Sequence, residues 1–207
     1  STQSRSSAAS DVYKRQVLRG SAGKVEPQQE EMLRRACDRT GSLIQLINDL
    51  LRYSRLEAEA AVRVARREPV SMADVVRRTL ELLAPSAEEK GLRIDSQVRP
   101  VQVLADEEGL TELVTNLLSN AIRYTPEGRR IDVRLTVEGQ QALFVVQDEG
   151  IGISPEDMEH LFEEFFRAEA AKRAVQHGTG MGLAIVRRLV ESYGGQIDVQ
   201  SLSLIHI

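Results

Sequence analysis

The chain has 207 residues, enough for one full domain and an appendage, with 42% hydrophobic and 28% charged residues and a formal net charge of −4. Nothing in that balance points to a phosphate-backbone binder, so nucleic acid is not an expected partner. Cys37 is the only cysteine, which excludes an internal disulfide and fits an inert thiol in a reduced, intracellular setting, and no apolar run approaches the ~18 residues that span a bilayer.

Residues 1–16 are serine-rich without an apolar period, and no structure is expected there. From Gln28 to Glu57 the pattern turns helical. Leu33, Ala36/Cys37, Thr40, Leu43/Ile44, Ile47, Leu50/Leu51 and Ser54 recur at three- and four-residue steps, the seam of a helical hairpin or coiled coil. Gly41 inside it costs about 1 kcal/mol relative to Ala, so packing must hold the seam. A plain core helix is the alternative. The charged stretch at 57–68 argues for a linker, and its Arg63, Arg66 and Arg67 read as a solvated face.

A second domain is expected from Arg66. Arg67-Glu-Pro-Val70 reads as an edge strand, because Pro69 is excluded from a central one. Ser71 and Asp74 form a capping pair for a helix over 72–84. Gly91 breaks the chain, residues 92–98 alternate as a strand, and 101–104 form another. Asp106 opens a long helix to Tyr124, ended by Pro126 and Gly128. Alternating strands follow at 131–137 and 142–147. Ser154-Pro-Glu-Asp157 starts a helix, 168–177 reads as a charged irregular stretch, and a helix over 181–192 precedes a strand at 196–200. Helices and strands alternate with hairpins, which predicts an α+β sandwich with helices on one face.

Four short motifs lie along the second domain. Asn116 and Asn120, in N-L-L-S-N-A, share one helix face and offer amide oxygens to a hydrated Mg²⁺. Taken alone, two asparagines on a polar face are the plainer reading. Arg123 and Tyr124 lie a turn further on, where an arginine reaches phosphate and a tyrosine covers a sugar or base; a surface cation is the default for Arg123. Asp148 follows an apolar strand and precedes Gly150-Ile151-Gly152. A carboxylate there accepts from the amino edge of adenine, and the glycines let backbone approach a flat ring. By itself the Asp-Gly pair is a β-turn. Gly178-Thr179-Gly180-Met181-Gly182 runs into a helix N-terminus, an anion site for phosphates. It lacks the Gly-Lys-Ser/Thr of a Walker loop and the strand that precedes a dinucleotide fingerprint. The 168–177 stretch before it suits a mobile lid, anchored by Phe162, Phe165 and Phe166, with Arg167 placed for the γ-phosphate.

In this order the motifs resemble the asparagine, glycine and phenylalanine boxes of sensor histidine kinases of two-component signalling. The match covers 28–200 and is especially close at Asn120–Gly128, where Arg123 stands in place of the family's usual lysine. The resemblance implies a two-layer α/β sandwich of the histidine kinase, gyrase and chaperone ATPase type over 66–200, preceded at 17–60 by a remnant of the dimerisation and phosphoacceptor hairpin. It implies ATP and Mg²⁺ as ligands. Asn116 and Asn120 would hold the Mg-triphosphate, Asp148 with Gly150, Gly152 and Ile153 the adenine, Phe165 the lid, and Gly178, Thr179, Gly180, Met181, Gly182 and Leu183 the phosphates. Asn116 and Arg167 would act in transfer. The implied activity is protein-histidine kinase, with a response-regulator receiver domain as partner, a homodimer through the hairpin, and a cytoplasmic place, with any membrane anchor of the full-length protein outside this chain.

Two stretches depart from the family. The acceptor box, a histidine followed by an acid and a Thr/Asn-Pro, would fall near residues 1–5, counted back from a first-helix end at 17–23. The serine-rich stretch stands there, and His160, His177 and His206 lack that context, so no acceptor histidine is expected in this chain and no self-phosphorylation. Residues 201–207 replace the family's last strand region. Both ends are expected to be non-native. Two alternatives remain. One is an ATPase of the same superfold, which generally places a glutamate where Asn116 stands; the other is a non-catalytic dimerisation module.

Overall fold

The computed structural model describes residues 27–58, 66–175 and 178–201. The expectations for 1–16, for 17–23, for His177 and His206 and for 202–207 lie outside the described residues. Two compact units meet between Ile47 and Asn48, inside one helix, α1 (Pro27–Ala58). In the first unit Leu33, Leu43, Ile44 and Ile47 of the expected α1 seam are exposed, as is Met32 beside it. Glu30–Arg34 at 2.8 Å and Glu31–Arg35 at 2.5 Å are pairs one turn apart on its polar side. Cys37 is half-buried rather than sealed in a core.

The second unit holds two small sheets and a helix layer. β1 (Glu68–Ser71) pairs antiparallel with β3 (Gln102–Ala105), and the larger sheet runs β2 (Arg93–Val98), β4 (Arg130–Glu138), β5 (Gln141–Asp148). β2 lies parallel to β4, and β4 antiparallel to β5 in the register Ile131 opposite Asp148. The alternation read from the sequence becomes two faces. Ile131, Val133 and Leu135 of β4 are buried, while Arg130 and Arg134 stay exposed. Three helices cover the buried face: α2 (Met72–Glu89), α3 (Glu107–Tyr124) and α6 (Gly182–Ser192), with α3 packed between the other two. Val76, Val114, Leu118, Ile185 and Leu189 interlock there, each worth about 1.5–3 kcal/mol when removed from water. This is the α+β sandwich that the sequence predicts.

The caps fix where helices begin. Ser71 Oγ accepts from the Asp74 amide at 3.4 Å, Asp106 Oδ1 from Gly109 at 2.8 Å, and Ser154 Oγ from Asp157 at 3.1 Å. One end depends on a distant residue. Lys90 Nζ donates to the carbonyls of Ile122, Arg123 and Thr125 at 2.8, 3.0 and 2.8 Å, a cation on the negative end of α3.

Three local expectations are corrected. α2 runs to Glu89 rather than 84, through Pro85. Proline withholds one donor from an exposed turn, and burial of Ala87 beyond it carries the helix on. The 168–177 stretch is not all irregular: α5 (Glu169–Ala174) follows the one-turn α4 (Pro155–Met158), with Lys172 on Glu169 at 2.5 Å. Residues 196–200 form no strand. A single short segment beside a sheet edge gains little without a hairpin partner. Ile197 packs against the core instead, and Ser201 Oγ accepts from the Ile153 amide at 2.8 Å.

Candidate functional site

α3 carries most of the candidate residues on one rod. Asn116 Nδ2 donates to the carbonyl of Glu112 at 3.0 Å, which turns Oδ1 away from its own helix. That oxygen faces the first turn of α6. A methyl group at Gly182 would lie 3.0 Å from Asn116 Oδ1 and 3.8 Å from Asn120 Nδ2. Both asparagines therefore border the glycine loop, as their four-residue spacing predicts. Glu112, almost buried one turn before Asn116, pairs with Arg52 of α1 at 3.2 Å.

The loop is shaped from outside. Gly180 has φ +74°, and a Cβ there would sit 2.6 Å from the Phe166 carbonyl oxygen and from the Phe165 carbonyl carbon. Only glycine fits. Thr179 Oγ1 donates to Asp49 Oδ2 at 2.6 Å and accepts from the Met181 amide at 3.3 Å. Met181 is buried, and its carbonyl starts α6 by accepting from Ile185 at 2.9 Å. Leu183 is half-buried beside it.

The three phenylalanines divide. Phe162 lies under the Arg187 guanidinium, 5.8 Å from its ring centre, and Phe166 meets the His160 ring at 5.6 Å. Phe165 is 50% exposed at φ +63°. A bulky residue in the left-handed region carries about 1–3 kcal/mol of strain, and only Phe162 and Phe166 are half-buried. Arg167 donates to the carbonyls of Val175 at 2.6 Å and Ala171 at 3.4 Å. It clasps the end of α5, and Gly178 packs on its guanidinium. In this conformation its donors face the carbonyls of Ala171 and Val175.

At the C-terminal end of α3, Ile151 N donates to the Tyr124 carbonyl at 3.2 Å. Gly150 fits against that same oxygen, 3.1 Å from where its Cβ would be, and Gly152 takes φ +71°. Asp148 Oδ1 accepts from the Gly150 amide at 2.8 Å. Burial of its carboxyl pushes the Asp148 pKa up, and that amide bond partly offsets the rise. The residue as a whole is nonetheless exposed. Tyr124, Asp148 and Gly150 are thus gathered at the C-terminal end of α3, with Gly152 and Ile153 following in the chain, and Asn116, Asn120 and Gly182 meet one to two turns back along the helix. The Arg123 side chain is exposed beside the first group.

His160 lies in a turn, and its Nδ1 meets Glu163 Oε1 at 2.8 Å, a carboxylate neighbour that the sequence reading did not give it. That neighbour holds its pKa above the usual value. Sequence reasoning also missed Asp49, Glu112 and Lys90. Asp49 had left a signal, as a lone acid inside the apolar run Leu46–Leu51. Among the described residues no group of three His, Cys, Asp or Glu is placed to hold a metal, and no helix is long and apolar enough to cross a membrane.

The family model for histidine kinase-, DNA gyrase B-, and HSP90-like ATPases matches residues 105–203. The chain is 35% identical over 189 residues to the circadian input-output histidine kinase CikA of Synechococcus elongatus, covering 89% of this chain and 25% of that one. It is 39% identical over 161 residues to the sensor histidine kinase RppB of a Synechocystis species, covering 77% and 35%. Among solved structures it resembles the mycobacterial sensor histidine kinase MprB with a TM-score of 0.54 and 36% identity, over 62% of this chain and 80% of that one. It also resembles full-length ShkA in complex with AMPPNP, with a TM-score of 0.62 and 31% identity, over 84% and 36%. The chain spans about a quarter to a third of the length of the two curated relatives.

Proposed function

The chain belongs to the sensor histidine kinases and carries their ATP-binding catalytic part; from that premise we propose that its longer protein transfers the γ-phosphoryl group of ATP to a histidine and relays it to a response-regulator aspartate. The observation that carries the reading is the facing of Asn116 Oδ1 and the Gly182 cradle. An amide oxygen there, beside Asn120 and without added negative charge, suits Mg²⁺, which binds through one or two protein oxygens and the phosphates. Among the described residues no acidic cluster competes for that role. Bound there, Mg²⁺ would neutralise charge on the triphosphate.

The chain's own residues divide the remaining work. The amides and hydroxyl of 178–182, at the start of α6, take phosphate oxygens. Asp148 accepts from the adenine amino group, with Gly150 and Gly152 giving the ring room and Ile153 and Tyr124 beside it. Arg123 reaches phosphate from the end of α3. Phe165 and Arg167 belong to the lid, and Arg167 would leave the carbonyls of Ala171 and Val175 to meet the γ-phosphate when the lid closes. Transfer is favoured over hydrolysis because Asn116 cannot take a proton from water, and the nearest acid on α3, Glu112, is held by Arg52 at 3.2 Å.

The exposed seam of α1 supports a homodimer through the helical hairpin of the full-length protein, with 17–60 in that hairpin and 66–200 as the ATP-binding domain. A cytoplasmic place follows from the reading as a phosphorelay component. With no acceptor box, this chain should bind Mg-ATP and remain unlabelled by radioactive ATP, while labelling a supplied acceptor-histidine domain. Calorimetry on Asp148→Asn provides the site test. Affinity for ATP should drop by about 1–3 kcal/mol, the cost of one mispaired buried group, with tripolyphosphate binding unchanged. Wild-type affinity and an unchanged preference for ATP over GTP would make Asp148 a turn residue.

A further inference from the structure

The last turns of α1, from Asn48 onward, belong to the same compact unit as the glycine loop. Asp49 is only 9% exposed and receives the Thr179 hydroxyl at 2.6 Å, across 130 residues of sequence. Arg52 pairs with Glu112, and Tyr53 packs against the core. Helix α1 is therefore tied to both elements that border the phosphate end.

A threonine hydroxyl has one proton to give. Here the Thr179 proton goes to Asp49, while its oxygen accepts from the Met181 amide at 3.3 Å. Both donors, the hydroxyl and the amide, are thereby taken from an incoming anion. The Asp49 carboxylate adds a poorly solvated negative charge against the loop, where a triphosphate would bring several more. A small-residue loop at a helix start invites anions, and this contact turns that invitation off.

Resting on the reading of 178–182 as the phosphate loop, we infer that Asp49 is a latch on it. Docking of the 48–53 segment and binding of nucleotide phosphates exclude one another. Release of Asp49 frees the Thr179 hydroxyl to turn its proton to phosphate, with no change at the adenine end. Because coupling is reciprocal, a saturating nucleotide loosens the helix end by the same factor as the docked helix weakens the nucleotide.

Calorimetry on the full chain with Mg-ATP, Mg-ADP and adenosine tests this. Asp49→Asn keeps the side-chain shape and removes the charge. Mg-ATP should bind about fivefold or more tightly, Mg-ADP should gain less, and adenosine should not change. On the wild-type chain, which needs no variant to fold, amide hydrogen exchange across 48–55 should quicken when Mg-ATP saturates. Equal or weaker Mg-ATP binding by Asp49→Asn, or slower exchange in the wild type, overturns the latch and makes Asp49 a support for the loop. If neither the wild-type chain nor Asp49→Asn gains affinity over adenosine from added phosphates, the phosphate-loop reading itself falls, and the latch with it.

Discussion

At the adenine end of the candidate site, each shaping contact comes from within the sandwich. Ile151 is stitched to the Tyr124 carbonyl, Gly150 is seated on it, and Lys90 holds the carbonyls on either side. At the phosphate end the contacts come from segments outside the sandwich: Asp49 from α1, Arg167 with α5, and the strained Phe165. The first end is built in advance and costs nothing to organise when a ligand arrives. The second is held by contacts that engage two groups able to donate to an anion, the Thr179 hydroxyl and the Arg167 guanidinium. A nucleotide would then be read by its base and gated by its phosphates.

The sharpest way to break this comparison is Gly180→Ala. Its Cβ would meet backbone atoms of Phe165 and Phe166 at 2.6 Å, which no rotamer change relieves, and it would demand a left-handed alanine costing about 1–2 kcal/mol. Mg-ATP binding should fall at least tenfold, roughly 1.4 kcal/mol, while adenosine affinity holds. Calorimetry with both ligands separates a local loss from a global one, and parallel losses would mean that the two ends are not independent.

Lys90→Met probes the prebuilt end. Three carbonyls lose a charged donor, so thermal unfolding should show a loss of about 1–3 kcal/mol. The folded variant should lose adenosine affinity more than tripolyphosphate affinity. Equal losses would show that Lys90 serves only the stability of α3.

The smallest effect lies near the lid. Glu163 holds the His160 pKa above its ordinary value, so their attraction is fully present below the unfolded-state pKa and is lost as pH rises through the folded one. Both groups are exposed, so the readout is an NMR titration rather than a melt. Glu163→Gln should move the His160 midpoint down toward its usual place. An unmoved midpoint would assign the shift to Asp157 and Glu159 instead.

The sandwich was legible because its signals are local. Period-two strands, caps at Ser71, Asp106 and Ser154, and Asn116 with Asn120 on one helix face all follow from neighbours within a few residues. Lys90 was not legible. A lysine at a helix end reads as a cap for its own helix, and its service to α3 depends on how the two helices pack. Residues 196–200 misled for the opposite reason: alternation was present, but a strand needs a partner that the sequence pattern does not supply. The partners of Arg167 were not legible either, because the carbonyls of Ala171 and Val175 reach it only through the folding of α5.

The glycines of the phosphate loop answer to different neighbours, and this bears on how such loops decay in duplicated genes. Gly180 is fixed by the backbone of Phe165 and Phe166, a requirement of the fold that persists whether or not nucleotide is ever bound. Gly182 is fixed by the side chain of Asn116, which is itself free to mutate. In a paralogue that has abandoned catalysis, Gly180 should therefore survive as a fossil, while Gly182 and Asn116 drift together. The presence of the first glycine says only that the architecture is retained. Joint retention of the second glycine and the asparagine marks a copy still under selection to handle nucleotide.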